Sequence, residues 1–148
     1  MIWIIIKKNH SELFKMDIQL KPIGVINSPY KNREEAPRQG RNTDDTSIIT
    51  VLDEFTEGLD GLNNIKYMLV LYWQDKSSRD KLKVIPHGKT HKRGVFSTRA
   101  PVRPNPIGLC MVEILSFNKN VFVVKWLDAL DGSPLLDLKP FWKDIDTI

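Results

Sequence analysis

Apolar positions in this chain come in short runs, never in a sustained helical stripe. Across residues 17–27 they alternate and then bunch as Ile23, Val25 and Ile26 around Gly24, the pattern of a first strand. Residues 48–52, "IITVL", give a second, and residues 54–62, with two glycines, a short helix or turn. The run "YMLVLYW" at residues 67–73 is continuous and β-rich, which reads as a central strand buried on both faces. Residues 107–115 and 120–127 are two further runs, joined as a hairpin by the polar turn Ser116-Phe117-Asn118-Lys119. Asp131-Gly132-Ser133-Pro134 is a turn by composition, and the apolar residues from Leu135 follow it. Such elements predict a mainly all-β fold, a single-sheet β-barrel of about seven strands with short helices or turns and long rim loops. Closure removes the exposed edges that so many short strands would otherwise present.

Between the runs lie three polar stretches. Residues 30–46 are charged and nearly devoid of aliphatics, and carry "APRQG"; a loop of that length inside a compact domain is usually functional or disordered. The second, "GVFSTRAPVRPNPIG" at residues 94–108, places proline after Ala100, Arg103 and Asn105 and pushes each of them toward extended geometry. It is a stiff loop that holds Arg99, Arg103 and Asn105 in fixed directions before anything binds. The third covers residues 127–140, "LDALDGSPLLDLKP". A barrel brings distant loops to one rim and so gathers Arg38, Arg99, Arg103, Asn105, Asp128, Asp131 and Asp137 around one cleft. Guanidiniums and carboxylates together suit a zwitterionic small molecule beside an anionic polymer.

Composition narrows this further. A chain of 148 residues supports one domain with a real core, and its net charge of +4 does not by itself announce a nucleic-acid partner. The distribution is more telling: from Arg79 to Arg103 the basic residues are Arg79, Lys81, Lys83, Lys89, Lys92, Arg93, Arg99 and Arg103, with Asp80 as the only acid. That is a local positive field that RNA would feel, or else a solvated basic loop. Neither a G-x-x-x-x-G-K loop nor a G-x-G-x-x-G turn is present, so no P-loop or Rossmann nucleotide site is indicated. His87 and His91 have no neighbouring cysteine, so no metal site is expected. The single cysteine, Cys110, sits in an apolar run and reads as a small hydrophobe in a reducing, cytoplasmic setting. Tyr72, Trp73 and Phe96 are possible base-stacking aromatics that read first as core. The apolar start, residues 1–6, is too short to span a membrane and precedes its lysines, unlike a secretory signal. Because Met16 directly precedes a well-patterned segment, residues 1–15 read as an extension and residues 16–148 as the functional domain.

The segments "PIGVINSPYKN…APRQG", "GVFSTRAPVRPNPIGLCMVEI" and "LDALDGSPLLDLKPF" resemble the three signature segments of the TsaA-like, TrmO-type tRNA methyltransferases, in the same order, over about residues 22–141. The resemblance implies a homodimeric barrel that binds S-adenosylmethionine without a Rossmann domain and methylates N6 of threonylcarbamoyladenosine beside the tRNA anticodon. By motif it implies cofactor contacts from Pro37, Arg38, Gln39, Gln74, Asp75, Arg99, Leu109, Asp128, Ala129, Leu130 and Asp131. Arg103 and Asn105 are the candidates for catalytic positioning of the acceptor, Asp137 and Lys139 for completing its pocket. A ureido nitrogen must lose a proton as it is methylated, and Asp131 is the expected acceptor for it. Tyr67, Gln74 and His87 depart from residues common in the family, histidine at the first two and arginine at the third. Two other readings remain: a non-catalytic RNA-binding barrel, and a methyltransferase of the same fold with another acceptor.

Overall fold

In "YMLVLYW" every second side chain is sealed: Met68 and Val70 are fully buried and Tyr72 nearly so, while Tyr67, Leu69, Leu71 and Trp73 are half-buried. This departs from a strand buried on both faces, and the reason is closure. In a barrel only one face of each strand meets the core, and the outer face is covered only where loops lie over it. The computed structural model describes residues 18–148. The expected extension over residues 1–15 lies outside them.

Six strands close the barrel: β1 (Gly24–Asn27), β2 (Thr46–Val51), β3 (Tyr67–Trp73), β6 (Ile107–Asn118), β7 (Val121–Lys125) and β8 (Ser133–Pro140). Their order is β1-β2-β7-β6-β3-β8, and β8 pairs back to β1. Every pairing is antiparallel. Two more strands, β4 (Lys83–Val84) and β5 (Arg93–Gly94), form a separate ribbon within the basic stretch, where a loop was expected. The single-sheet barrel is therefore present with six strands, and the ribbon is an arm outside it. The first strand is shorter than its apolar pattern because Pro22 has no N–H to give a ladder, so pairing begins only beyond it. Residues 54–62 are covered by 3-10 turns, Asp53–Leu59 and Leu62–Asn64, with Gly61 between them at φ 85°. A four-residue helix, α1 (Lys143–Asp146), follows the barrel.

Ile26, Ile49, Val51, Met68, Val70, Val112, Phe122, Val124 and Leu135 fill the interior. The antiparallel order also settles where the loops go. β1 ends, β2 begins, β3 ends, β6 begins, β7 ends and β8 begins at the same end of the barrel. Residues 28–45, 74–106 and 126–132, which include most of the three polar stretches, all emerge there.

Candidate functional site

The site grows from one strand pairing. Tyr72 on β3 lies opposite Gly108 on β6, and a Cβ at Gly108 would overlap the Tyr72 ring. The absent side chain lets the phenol lie under the open end of the barrel. One position further in, Cys110 lies opposite Val70, also facing the interior. A bulge between Leu71 and Tyr72 in the pairing with β8 re-aims the chain at this point.

Asp128 meets both groups. Its Oδ1 accepts from the Tyr72 hydroxyl at 2.6 Å and from the Cys110 thiol at 2.9 Å. Burial, reinforced by the Asp128 charge, pushes the Tyr72 phenol and the Cys110 thiol well above their ordinary values, so both remain protonated donors. Oδ2 of Asp128 has no hydrogen-bond partner among the described residues.

What delivers Asp128 there is the turn after β7. Trp126 adopts φ 70°, a conformation costly for a bulky residue, and swings the chain back over the barrel. Its ring is clamped: it stacks on Tyr67 with centroids 6.0 Å apart, and the Arg41 guanidinium lies 4.0 Å above it. Gly40 packs against the Trp126 carbonyl with no room for a side chain. Beyond Asp128, the segment is stitched to the loop after β1. Ser28 Oγ donates to the Ala129 carbonyl at 2.7 Å, and the Asp131 N–H donates to the Tyr30 carbonyl at 2.7 Å.

Above this floor lie three adjoining cavities of about 380, 380 and 600 Å³. Tyr72, Gln74 and Asp128 line the first two; Arg38, Gln39 and Arg99 line the second and third; Arg33 and Pro101 line all three. Arg33, Arg38 and Arg99 make no ion pair or hydrogen bond with the described residues. Three uncommitted guanidiniums thus surround one anchored carboxylate, with Leu71, Ile107 and Leu109 as an apolar wall. A larger opening of about 820 Å³ at the far end of the barrel has an acidic rim of Glu54, Glu57, Asp60 and Asp137, and none of these arginines.

Of the residues singled out in the sequence, Arg38, Gln39, Gln74, Asp75, Arg99, Leu109, Asp128 and Leu130 line these cavities. Pro37 is half-buried beside them, and Ala129 is sealed in the core. Arg103 borders the second cavity, but its guanidinium is committed to the carbonyls of Ala100, Thr98 and Val95 at 2.8, 2.7 and 3.2 Å. It braces the loop. Asn105 lines a different groove, with Ile18, Leu20 and Arg79. Asp137 and Lys139 pair with each other at 2.7 Å on the outer face of β8, beside Leu71 and Leu69. Asp131 lines none of the three cavities; its oxygens accept from Lys31 Nζ at 2.6 Å, the Ser28 N–H at 3.0 Å and the Asn27 amide at 3.3 Å. Lys31 first, then the Ser28 N–H, hold it below the usual carboxylate range, which makes it a weaker base.

Arg33 and Gly108 are not among the candidate site residues, Cys110 reads from the sequence only as a small hydrophobe, and Tyr72 only as a possible base-stacking or core aromatic. A glycine inside an apolar strand run is the available signal for close approach; for Arg33 there is none, since its loop has no periodicity. No helix among the described residues is long and apolar enough to cross a membrane.

Comparison with known proteins bears on this geometry. The family described as tRNA-methyltransferase O N-terminal domain matches residues 25–147. A protein of Archaeoglobus fulgidus named S-adenosyl-L-methionine-binding protein is 56% identical over 129 residues, covering 87% of this chain and 93% of its own length. A probable S-adenosyl-L-methionine-binding protein of Methanothermobacter thermautotrophicus is 49% identical over 133 residues, covering 90% of this chain and 96% of its own. The crystal structure of TrmO from Pseudomonas aeruginosa superposes with a TM-score of 0.75 at 29% identity, over 90% of this chain. This chain spans 60% of that solved one.

Proposed function

This chain belongs to the family of the tRNA-methyltransferase O N-terminal domain, and from that premise we propose that it is an S-adenosylmethionine-dependent methyltransferase acting on N6 of threonylcarbamoyladenosine beside the tRNA anticodon. The observation that carries the reading is Asp128: a carboxylate fixed by two donors at the floor of cavities rimmed by free guanidiniums.

The donor set fits the cofactor. An amino-acid carboxylate suits Arg38 or Arg99, an ammonium or sulfonium is attracted to a carboxylate, and an adenine suits the wall of Leu71, Ile107 and Leu109. S-adenosylmethionine supplies an electrophilic methyl group on a positive sulfur. The chain itself has two tasks: to align the acceptor nitrogen with that carbon, and to take up the proton the nitrogen sheds. Asp128 is assigned the proton, in place of Asp131, because its Oδ2 is unpartnered and it lines the cavities. The Tyr72 and Cys110 bonds to Oδ1 fix the direction from which it is accepted.

The apolar edge of the second cavity continues onto the outer face of the barrel, where Ile107 and Leu109 are 39% and 50% exposed. A second copy of the chain covering that face fits the homodimer, and equilibrium sedimentation tests it. For the cofactor the test is calorimetric titration with S-adenosylmethionine. Saturable binding that weakens about tenfold in Arg99→Ala supports the reading, since a charge-assisted contact is worth about 1.5–3 kcal/mol. No heat of binding in the wild-type chain overturns it.

A further inference from the structure

Phe96 is 79% exposed although its neighbour Val95 is fully buried. The three aromatics that the sequence grouped together thus separate, with Tyr72 under the barrel end, Trp73 half-buried beneath Arg79, and Phe96 alone in solvent. Nothing in the fold needs a phenyl ring there.

The turn that presents it is rigid. Val95–Ser97 is a single 3-10 turn, with the Ser97 and Thr98 hydroxyls donating to the Gly94 and Val95 carbonyls, each at 2.8 Å. The Arg103 guanidinium ties the Val95 and Thr98 carbonyls together from below. An aromatic held this way loses little freedom on contact, as a stacking platform requires.

The ribbon leads directly into it. Lys83 pairs with Gly94 and Val84 with Arg93, the chain turns at Gly88 with φ 73°, and Leu82 accepts from the Val95 N–H at 3.0 Å. The charged side chains of Lys81, Lys83, Lys89, Lys92 and Arg93 make no ion pair or hydrogen bond with any described residue, although the Lys89 N–H donates to the Pro86 carbonyl at 3.0 Å. On its other side the ribbon supplies Val84, Ile85, Pro86 and His87 to the third cavity, which shares Arg99 and Arg33 with the cavities above Asp128. A solvent-facing ring, a row of unpaired cations and a groove toward the carboxylate thus form one surface.

We propose that Phe96 and the β4–β5 ribbon form an RNA-docking surface for a single-stranded loop, Phe96 stacking on an unpaired base next to the target nucleotide while the ribbon's cations follow the adjoining phosphates. The inference rests on the methyltransferase reading above and adds where the acceptor is held. A loop, not a duplex, is the matching class, because stacking on a side chain requires a base freed from its own stack.

The test is fluorescence anisotropy of the full chain with a labelled anticodon stem-loop RNA, and with a blunt RNA duplex of equal charge. Phe96→Ala weakens stem-loop binding about tenfold or more, Phe96→Trp restores it, and neither changes duplex binding or the affinity for S-adenosylmethionine. The double change Lys83→Glu, Arg93→Glu weakens binding to both RNAs and flattens the dependence of affinity on salt. Wild-type stem-loop affinity in Phe96→Ala overturns the inference, as does an equal loss on the duplex. So does tighter binding to phosphatidylserine vesicles than to RNA. Each of these leaves the methyltransferase reading standing if methyl transfer persists; absent S-adenosylmethionine binding in the wild-type chain removes both.

Discussion

Gly108 and Tyr72 face each other across β6 and β3, and the bare α-carbon of Gly108 is what admits the Tyr72 ring to the end of the barrel. Gly108→Ala therefore forces the phenol away from Asp128. We expect a loss of about 1–3 kcal/mol in denaturant unfolding, as for other overpacked cores, and a methyl-transfer rate as low as that of a chain lacking the phenol. Wild-type stability and rate together in this variant contradict the packing account.

Tyr72→Phe keeps the ring and removes only the hydroxyl that donates to Asp128 at 2.6 Å. Stability falls by about 1–2 kcal/mol. The turnover rate falls at least tenfold, while KM for S-adenosylmethionine stays within about twofold, because the carboxylate loses its orientation and the rim is untouched. A rise in KM with unchanged turnover places Tyr72 in cofactor binding instead.

Cys110 is the only cysteine, so thiol chemistry reports on one site. Burial and the Asp128 charge both disfavour its thiolate. Under native conditions it resists alkylation well above neutral pH, and it reacts fully only when the chain is unfolded, as mass spectrometry of the intact protein can show. Rapid native alkylation at neutral pH contradicts a thiol committed to Asp128.

Asp131 is held below the ordinary carboxylate range chiefly by Lys31. A group with a lowered folded-state value favours the fold above its unfolded value, about pH 4, and that contribution is lost as the pH falls through the folded value. Lys31→Met removes the main cause of the shift. The acid unfolding midpoint of this variant moves to higher pH, read by circular dichroism; an unmoved midpoint means that the pair does not link the loops.

Much of this was legible in the sequence, and the exceptions have physical causes. Alternation and turn chemistry marked five of the six barrel strands, but Ser133 and Pro134 read as a turn although they open β8; motif order placed Arg38, Gln39, Arg99 and Asp128 together. Local pattern carries no information about closure, so "YMLVLYW" read as buried on both faces, and Tyr72 passed as core when its hydroxyl belongs to the site. Cys110 was a hydrophobe by its neighbours, yet its thiol bonds across 18 residues to Asp128. Asp131 and Asp128 stand three residues apart in one acidic segment and differ only in partners that lie about 100 residues away in the first case and on β3 and β6 in the second. Phe96 was indistinguishable from core aromatics because exposure is not written in composition.

On the proposed function, Asp128, braced by Tyr72 and Cys110, takes the proton from the acceptor during methyl transfer to tRNA. The most direct measurement incubates methyl-labelled S-adenosylmethionine with the wild-type chain or Asp128→Asn, and with tRNA carrying or lacking the threonylcarbamoyl group, under single-turnover conditions. We expect label only in the threonylcarbamoylated tRNA, and a rate at least about a hundredfold lower in Asp128→Asn at saturating cofactor. Label in neither tRNA, or an undiminished rate in Asp128→Asn, contradicts it.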